Sequence, residues 1–205
     1  MTGKKYVITI TRQFGSMGRP IAKKMAEMLG IEYYDRDIVD KAAEKLNLPV
    51  SVIDEREEKA SSRVANPFSR MVFPLGTQNT TEQQDKIFET QKNIIEFLAE
   101  KESCIIVGRC ADYVLSEYEN SMHIYIYAPY KQRLKHCIED LGLSEEEGKR
   151  MIFSVDEART SYHKNYAGYL PDDSKYKDIM INSSFLGIDK TAEYLVSLAK
   201  ERFKI

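Results

Sequence analysis

The chain has 205 residues, enough for one domain or for one core with a small insert, and its 42% hydrophobic and 30% charged residues suit a soluble globular protein. A formal net charge of −2 argues against broad nucleic-acid coating but leaves room for a local basic pocket. No apolar run is long enough to span a membrane and the N-terminus has no signal-peptide block, which points to a cytoplasmic protein.

In chain order, Val7–Ile10 is an apolar run of the kind that forms a strand buried on both faces. A loop with Gly15 and Gly18 follows, then a helix whose first turn holds Pro20, where a missing N–H costs nothing. Ile21, Met25, Met28 and Leu29 share one side of that helix, and Gly30 is its stop. Residues 31–34 read as a second strand, and Asp35 or Asp37 as the cap of a helix carrying Ile38, Val39, Ala42 and Leu46. Ser51 starts a further short helix. Residues 60–80 lose periodicity, and a loop of that length fits a substrate flap or a partner-binding surface.

Thr80 or Thr81 opens a long helix with Ile87, Ile94, Ile95 and Leu98 as its stripe. Strands follow at 103–107 and 123–128, with a short helix at Ala111–Leu115 between them. A helix from Tyr130 carries Arg133, Leu134, Cys137 and Ile138. Ser144 with Glu147 three residues on forms a capping box for a charged helix running toward Tyr166. Residues 178–182 make the last strand, and the final helix begins at about Gly187. Short strands separated by helices describe an α/β fold with a mostly parallel sheet, whose ligands bind at the carboxyl ends of the strands. Gly15–Arg19, Asp35, Gly108-Arg109 and Pro129 all follow strand ends.

A strand, a glycine loop and a helix N-terminus together form an anion cradle, because loop N–H groups and the helix dipole point at the same place. Against the pattern G-x-x-x-x-G-K-[ST], Gly18 matches, while Gln13, Arg19 and Pro20 stand at the other three fixed positions. A turn that needs glycine only for packing fits the same residues. The three cysteines, Cys104, Cys110 and Cys137, lack metal or redox spacing and read as buried thiols. His123, His136 and His163 show no ligand spacing, so no metal site is assigned.

Arg12-Gln13-Phe14-Gly15-Ser16-Met17-Gly18-Arg19, Tyr34-Asp35, Val107-Gly108-Arg109-Cys110-Ala111-Asp112-Tyr113, Tyr127-Ala128-Pro129 and Asn182-Ser183-Ser184, taken in order, resemble the cytidylate kinase-like family of P-loop proteins. The resemblance covers nearly the whole chain. It implies a P-loop NTPase fold: a five-stranded parallel sheet of order 2-3-1-4-5 flanked by helices, within a single domain over 1–205, with a helical lid at about 142–170. It also implies phosphoryl transfer from ATP, with Mg2+, to CMP or dCMP, and nucleotides as the partners rather than nucleic acid or membrane. The oligomeric state is not legible, a homodimer being one option.

Carried over by motif, Gly15, Ser16, Met17, Gly18, Arg19 and Pro20 would hold donor phosphates. Asp35 would lie near the acceptor nucleoside, and Arg109 would meet the acceptor phosphate. Asp156 and Arg159 resemble the Asp-x-x-Arg of the lid, reaching the acceptor, and Arg133 matches an arginine of the helix after the fourth strand. Arg19, Arg133 and Arg159 are the candidate catalytic cations, since phosphoryl transfer needs alignment and positive charge rather than covalent chemistry. Taken singly, Arg133 also fits a solvated helix position, Asp35 a helix cap, and Asp156 with Arg159 a helix-surface ion pair. True cytidylate kinases carry lysine and serine where this chain has Arg19 and Pro20. Proline cannot ligate magnesium, so the ion would need water, Ser16 or a carboxylate. Two readings follow: a nucleotide kinase, or a catalytically weak nucleotide-binding regulatory protein with a degenerate loop.

Overall fold

The computed structural model describes residues 4–35 and 81–205. The helices expected around Ile38–Leu46 and Ser51, and the flap at 60–80, fall outside the described residues. Five strands form one parallel sheet: β1 (Val7–Arg12), β2 (Glu32–Tyr34), β3 (Cys104–Val107), β4 (Ser121–Tyr127) and β5 (Ile179–Asn182), in the order β2-β3-β1-β4-β5. Ile8 sits opposite Ile105 on β3 and Met122 on β4, so the apolar runs register across the sheet centre. Parallel strands need crossover connections, which cover both faces and explain why the central strands read as unbroken apolar runs.

Alternation along β1 divides its side chains between two core clusters. Ile8 and Ile10 pack with Ile21 and Met25 of α1 (Gly18–Leu29) and with Leu195 and Ala199 of α6 (Ser183–Phe203). Val7, with Cys104 and Ile106 of β3, packs against Ile94, Ile95 and Leu98 of α2 (Thr81–Lys101) and Leu115, just past α3 (Ala111–Val114). A third cluster joins Phe14 to Cys137 of α4 (Tyr130–Glu139) and to Ile152 and Val155 of α5 (Glu145–Ala167). All three cysteines are buried and unbridged. Burial raises the Cys104 thiol to about 12, which keeps it inert.

The capping box at Ser144 and Glu147 is present in both directions. Met28, expected on the apolar side of its helix, is exposed, as is Ile138. Met28 lies in the last turn of α1, where Leu29 packs on the core instead. The final helix starts at Ser183 rather than Gly187. The Asn182 side chain accepts the Ser184 N–H at 3.0 Å, so this residue ends the strand and caps the helix. Gly187, at φ 74° and ψ 177°, interrupts the helix without ending it. No described helix is long and apolar enough to cross a membrane.

Candidate active site

The loop between β1 and α1 is held by the end of β4 and by residues of α4, α5 and α6. The Gln13 N–H donates to Ile126 O of β4 at 3.1 Å, and its side-chain oxygen accepts the Ala128 N–H at 3.2 Å. Gln13 therefore latches the start of the loop to the end of the neighbouring strand, a role that the mismatch with the glycine pattern concealed. The Phe14 N–H donates to Asp156 of α5 at 2.7 Å. Gly15 O accepts from a ring nitrogen of His136 at 2.9 Å, and Ser16 O accepts the Ser183 hydroxyl at 2.6 Å.

Gly15 sits at φ +74°, and a Cβ there would come 2.9 Å from Arg133 O. Both the left-handed backbone and the close approach require glycine. Met17, also left-handed at φ 59°, precedes the helix. Among the described residues, no acceptor meets the N–H groups of Gly15, Met17 and Gly18. Open N–H groups before a helix N-terminus are the physical requirement for anion binding.

The structure assigns the expected side chains to different tasks. The Ser16 hydroxyl is fully buried and its one proton is shared inward between Gln13 O at 2.9 Å and Ile126 O at 3.1 Å. The Ser16 hydroxyl is thus engaged within the protein, and so is its backbone, the N–H with Gln13 O at 3.4 Å and the carbonyl with Ser183. Arg133 donates to Phe14 O at 3.2 Å and pairs with Asp156, with its side chain only 10% exposed. Through these contacts Arg133 and Asp156 support the loop. Asp156 does not pair with Arg159. Instead, Arg159 donates to Arg12 O at 3.2 Å and lies over the Phe14 ring. These contacts tie α5, the expected lid, directly onto the loop.

Arg19 forms an ion pair with Asp35 at the end of β2, and Tyr33 donates to the same carboxylate at 3.3 Å. The residue expected at the donor phosphates thus touches the residue expected at the acceptor nucleoside. Arg109 follows β3 in a left-handed conformation, φ 59°, between Gly108 and Cys110. Pro20 occupies the first turn of α1 as expected. Burial first, and then the neighbouring Arg19 charge, lower Arg159 to about 10, partly offset by Asp156. Arg12, which the sequence reading left without a role, is pushed well below its ordinary value by burial and by Arg159, Arg19 and Arg109, with a partial offset from Tyr33. A surplus of positive charge at strand carboxyl ends is an arrangement suited to phosphate.

A second charged group lies behind Arg109. Asp112 accepts from His163 at 3.0 Å and pairs with Lys177, both side chains of that pair being essentially inaccessible. Tyr169 also reaches Asp112. The aromatic residues of this face pack on one another: Tyr166 stacks on Phe88 at 4.1 Å and Tyr169 on Tyr176 at 3.7 Å.

Comparison with known proteins places this arrangement. A sequence model described as the cytidylate kinase-like family matches residues 7–185. A search of curated proteins found no match. An uncharacterized protein from Eubacterium ventriosum ATCC 27560 is similar over 96% of this chain and 99% of its own, with 27% identity and a TM-score of 0.72. Shikimate kinase from Acinetobacter baumannii, solved in complex with shikimate, shares 13% identity at a TM-score of 0.51, covering 95% of this chain and 93% of its own. A sugar kinase from Janibacter sp. HTCC2649 shares 14% identity at 0.53, covering 98% and 96%. At these low identities the two kinases share the fold alone.

Proposed function

Because the chain belongs to the cytidylate kinase-like family, we propose that it transfers a phosphoryl group from ATP to CMP, dCMP or a related small acceptor. The observation that carries this reading is convergence. The open N–H groups of Gly15, Met17 and Gly18 lie at the same sheet edge as the Arg19–Asp35 pair, the Gly108-Arg109 turn and Arg159. In the reaction, an acceptor phosphate oxygen attacks the γ-phosphorus. The bond from that phosphorus to the β–γ bridging oxygen breaks, and ADP leaves with the electron pair. The loop N–H groups hold donor phosphate oxygens, Arg109 holds the acceptor phosphate, and Asp35 with Tyr33 orients the acceptor nucleoside. Cations in place before the reaction stabilise the charge that spreads over the transferred group.

Magnesium fits this loop poorly. Pro20 offers no hydroxyl, Ser16 has turned its own inward, and Asp35 is paired to Arg19. Among the described residues the charge role therefore falls to guanidinium groups. The same features favour a second reading, a nucleotide-binding regulatory protein with little turnover.

Steady-state assays on a nucleoside monophosphate panel with ATP and magnesium separate the two readings. Slow phosphorylation of CMP, raised in the double variant Arg19→Lys with Pro20→Ser, supports the kinase. An ångström of misplacement costs roughly a hundredfold in rate, so restoring the compact cation and the hydroxyl is expected to be visible. Nucleotide binding with no turnover in either form supports the regulatory reading.

A further inference from the structure

We infer that Arg12 is the phosphate-binding cation of this site, its guanidinium bridging the loop and the Gly108-Arg109 turn. The inference rests on the phosphate-site reading above and assigns a residue to which that reading gave no role. Arg12 is the last residue of β1. Its side chain leaves the strand across Gly18, where a Cβ would come 2.8 Å from Arg12 Cβ. It ends against Gly108, whose φ of +81° and missing Cβ make room for Nη1 of Arg12. The glycines at the start of α1 and at the end of β3 are thus both shaped around one side chain. Its backbone carbonyl is held by Arg159 of α5 at 3.2 Å, which fixes where the side chain begins.

Among the described residues nothing explains that placement. Among the described residues the Arg12 guanidinium forms no ion pair and donates no hydrogen bond, and its Nε is sealed from solvent without a partner. Its charged neighbours Arg159, Arg19 and Arg109 repel it, while Tyr33 acts in the opposite direction. Arginine carries five N–H donors in a planar fork that matches a phosphate. A half-buried fork with its donors unused, beside three open loop N–H groups, is completed by a phosphate oxygen. The position lies between the loop that takes donor phosphates and the turn expected to take the acceptor phosphate. Arg12 accordingly supplies the charge that a lysine supplies in the ordinary loop, because Arg19 is drawn aside to Asp35.

Calorimetric titration with inorganic tripolyphosphate and with ATP, alongside thermal unfolding without ligand, tests this. Arg12→Met is expected to weaken both ligands by about tenfold or more, as loss of a charge-assisted contact should, with Arg12→Lys intermediate. The melting temperature of ligand-free Arg12→Met is expected to stay level or rise, since an unpaired and repelled charge is removed. Unchanged affinity in Arg12→Met overturns the inference. So does a wild type that binds neither ligand, or lost affinity accompanied by a lowered melting temperature that Arg12→Lys does not rescue. CMP turnover is scored separately: a wild type that binds tripolyphosphate through Arg12 but phosphorylates nothing defeats the kinase reading and upholds Arg12 as the anion ligand.

Discussion

Two charged groups adjoin the turn after β3, one where Arg12 meets Gly108 and the other around Asp112, and they are built on opposite principles. In the group around Asp112 every charge is answered: Lys177 pairs with the carboxylate, His163 donates to it, and Tyr169 adds a third contact. Burial opposes the ionised carboxyl, but His163 and Lys177 outweigh it and hold Asp112 below the usual carboxylate range. In the group around the loop, positive charge exceeds negative, and Arg12 has no partner among the described residues. The first group joins α3, α5 and the approach to β5, so it holds the fold together. The second keeps like charges close together, the arrangement on which the proposed phosphate site rests. A buried charge with complete partners is architecture, and one left incomplete at the mouth of a parallel sheet marks a binding site.

The comparison can be broken most forcefully at Asp112. Asp112→Asn is expected to cost about 3–5 kcal/mol in urea unfolding, because Lys177 is left buried without its counter-charge. A loss below about 1 kcal/mol, the range of a surface pair, would remove the distinction between the groups. On the other side, Arg109→Ala is expected to weaken acceptor binding by about 1.5–3 kcal/mol while changing stability little. Equal losses in both measurements would move Arg109 into the structural group. Gly15→Ala is expected to destabilise by roughly 1–2 kcal/mol from the left-handed backbone alone, with some addition from the contact with Arg133 O, and to weaken tripolyphosphate in parallel. Unfolding midpoints and calorimetry on the same sample check both.

The smallest effect concerns His123, which contacts the Thr9 hydroxyl at 2.8 Å and the Ser121 hydroxyl at 3.2 Å. Burial, with a lesser push from Lys177, lowers its pKa below 6.5 despite Asp112 and Asp178. The unfolded chain therefore takes up this proton first as the pH falls. The stabilisation is complete above about 6.5 and is lost as the pH drops toward the folded value. His123→Gln, measured by urea midpoints between pH 7.5 and 5, is expected to flatten that part of the profile. An unchanged slope would assign the pH response to other groups.

The strands, the helix stripes, the Ser144 capping box and the strand–loop–helix start were legible because their signals are local. Side-chain period and cap spacing operate over a few residues. The ordered motifs also pointed to the family and hence to the strand order. Less legible were the tasks of individual side chains. Gln13 looked like a defect in a glycine pattern until Ala128, 115 positions away, was seen to donate to it. Asp156 and Arg159, three apart on one helix, suggested each other as partners, yet they reach Arg133 and the Arg12 carbonyl. Ser16 and Arg19 stand where phosphate and metal ligands are expected, and they turn instead to Ile126 O and to Asp35.

The sequence by itself determined which segments become strands and helices and which strand ends carry glycine and arginine, because hydrophobic period and backbone preference act along the chain. Only the tertiary structure decided that Arg19 and Arg133 are neutralised while Arg12 is left without a partner among the described residues. Coulomb energy and desolvation depend on distances between groups that the chain brings together from β1, α1, the end of β3 and α5. No spacing in the sequence records that Asp35 draws Arg19 away or that Asp156 occupies Arg133, leaving Arg12 beside the open N–H groups of the loop.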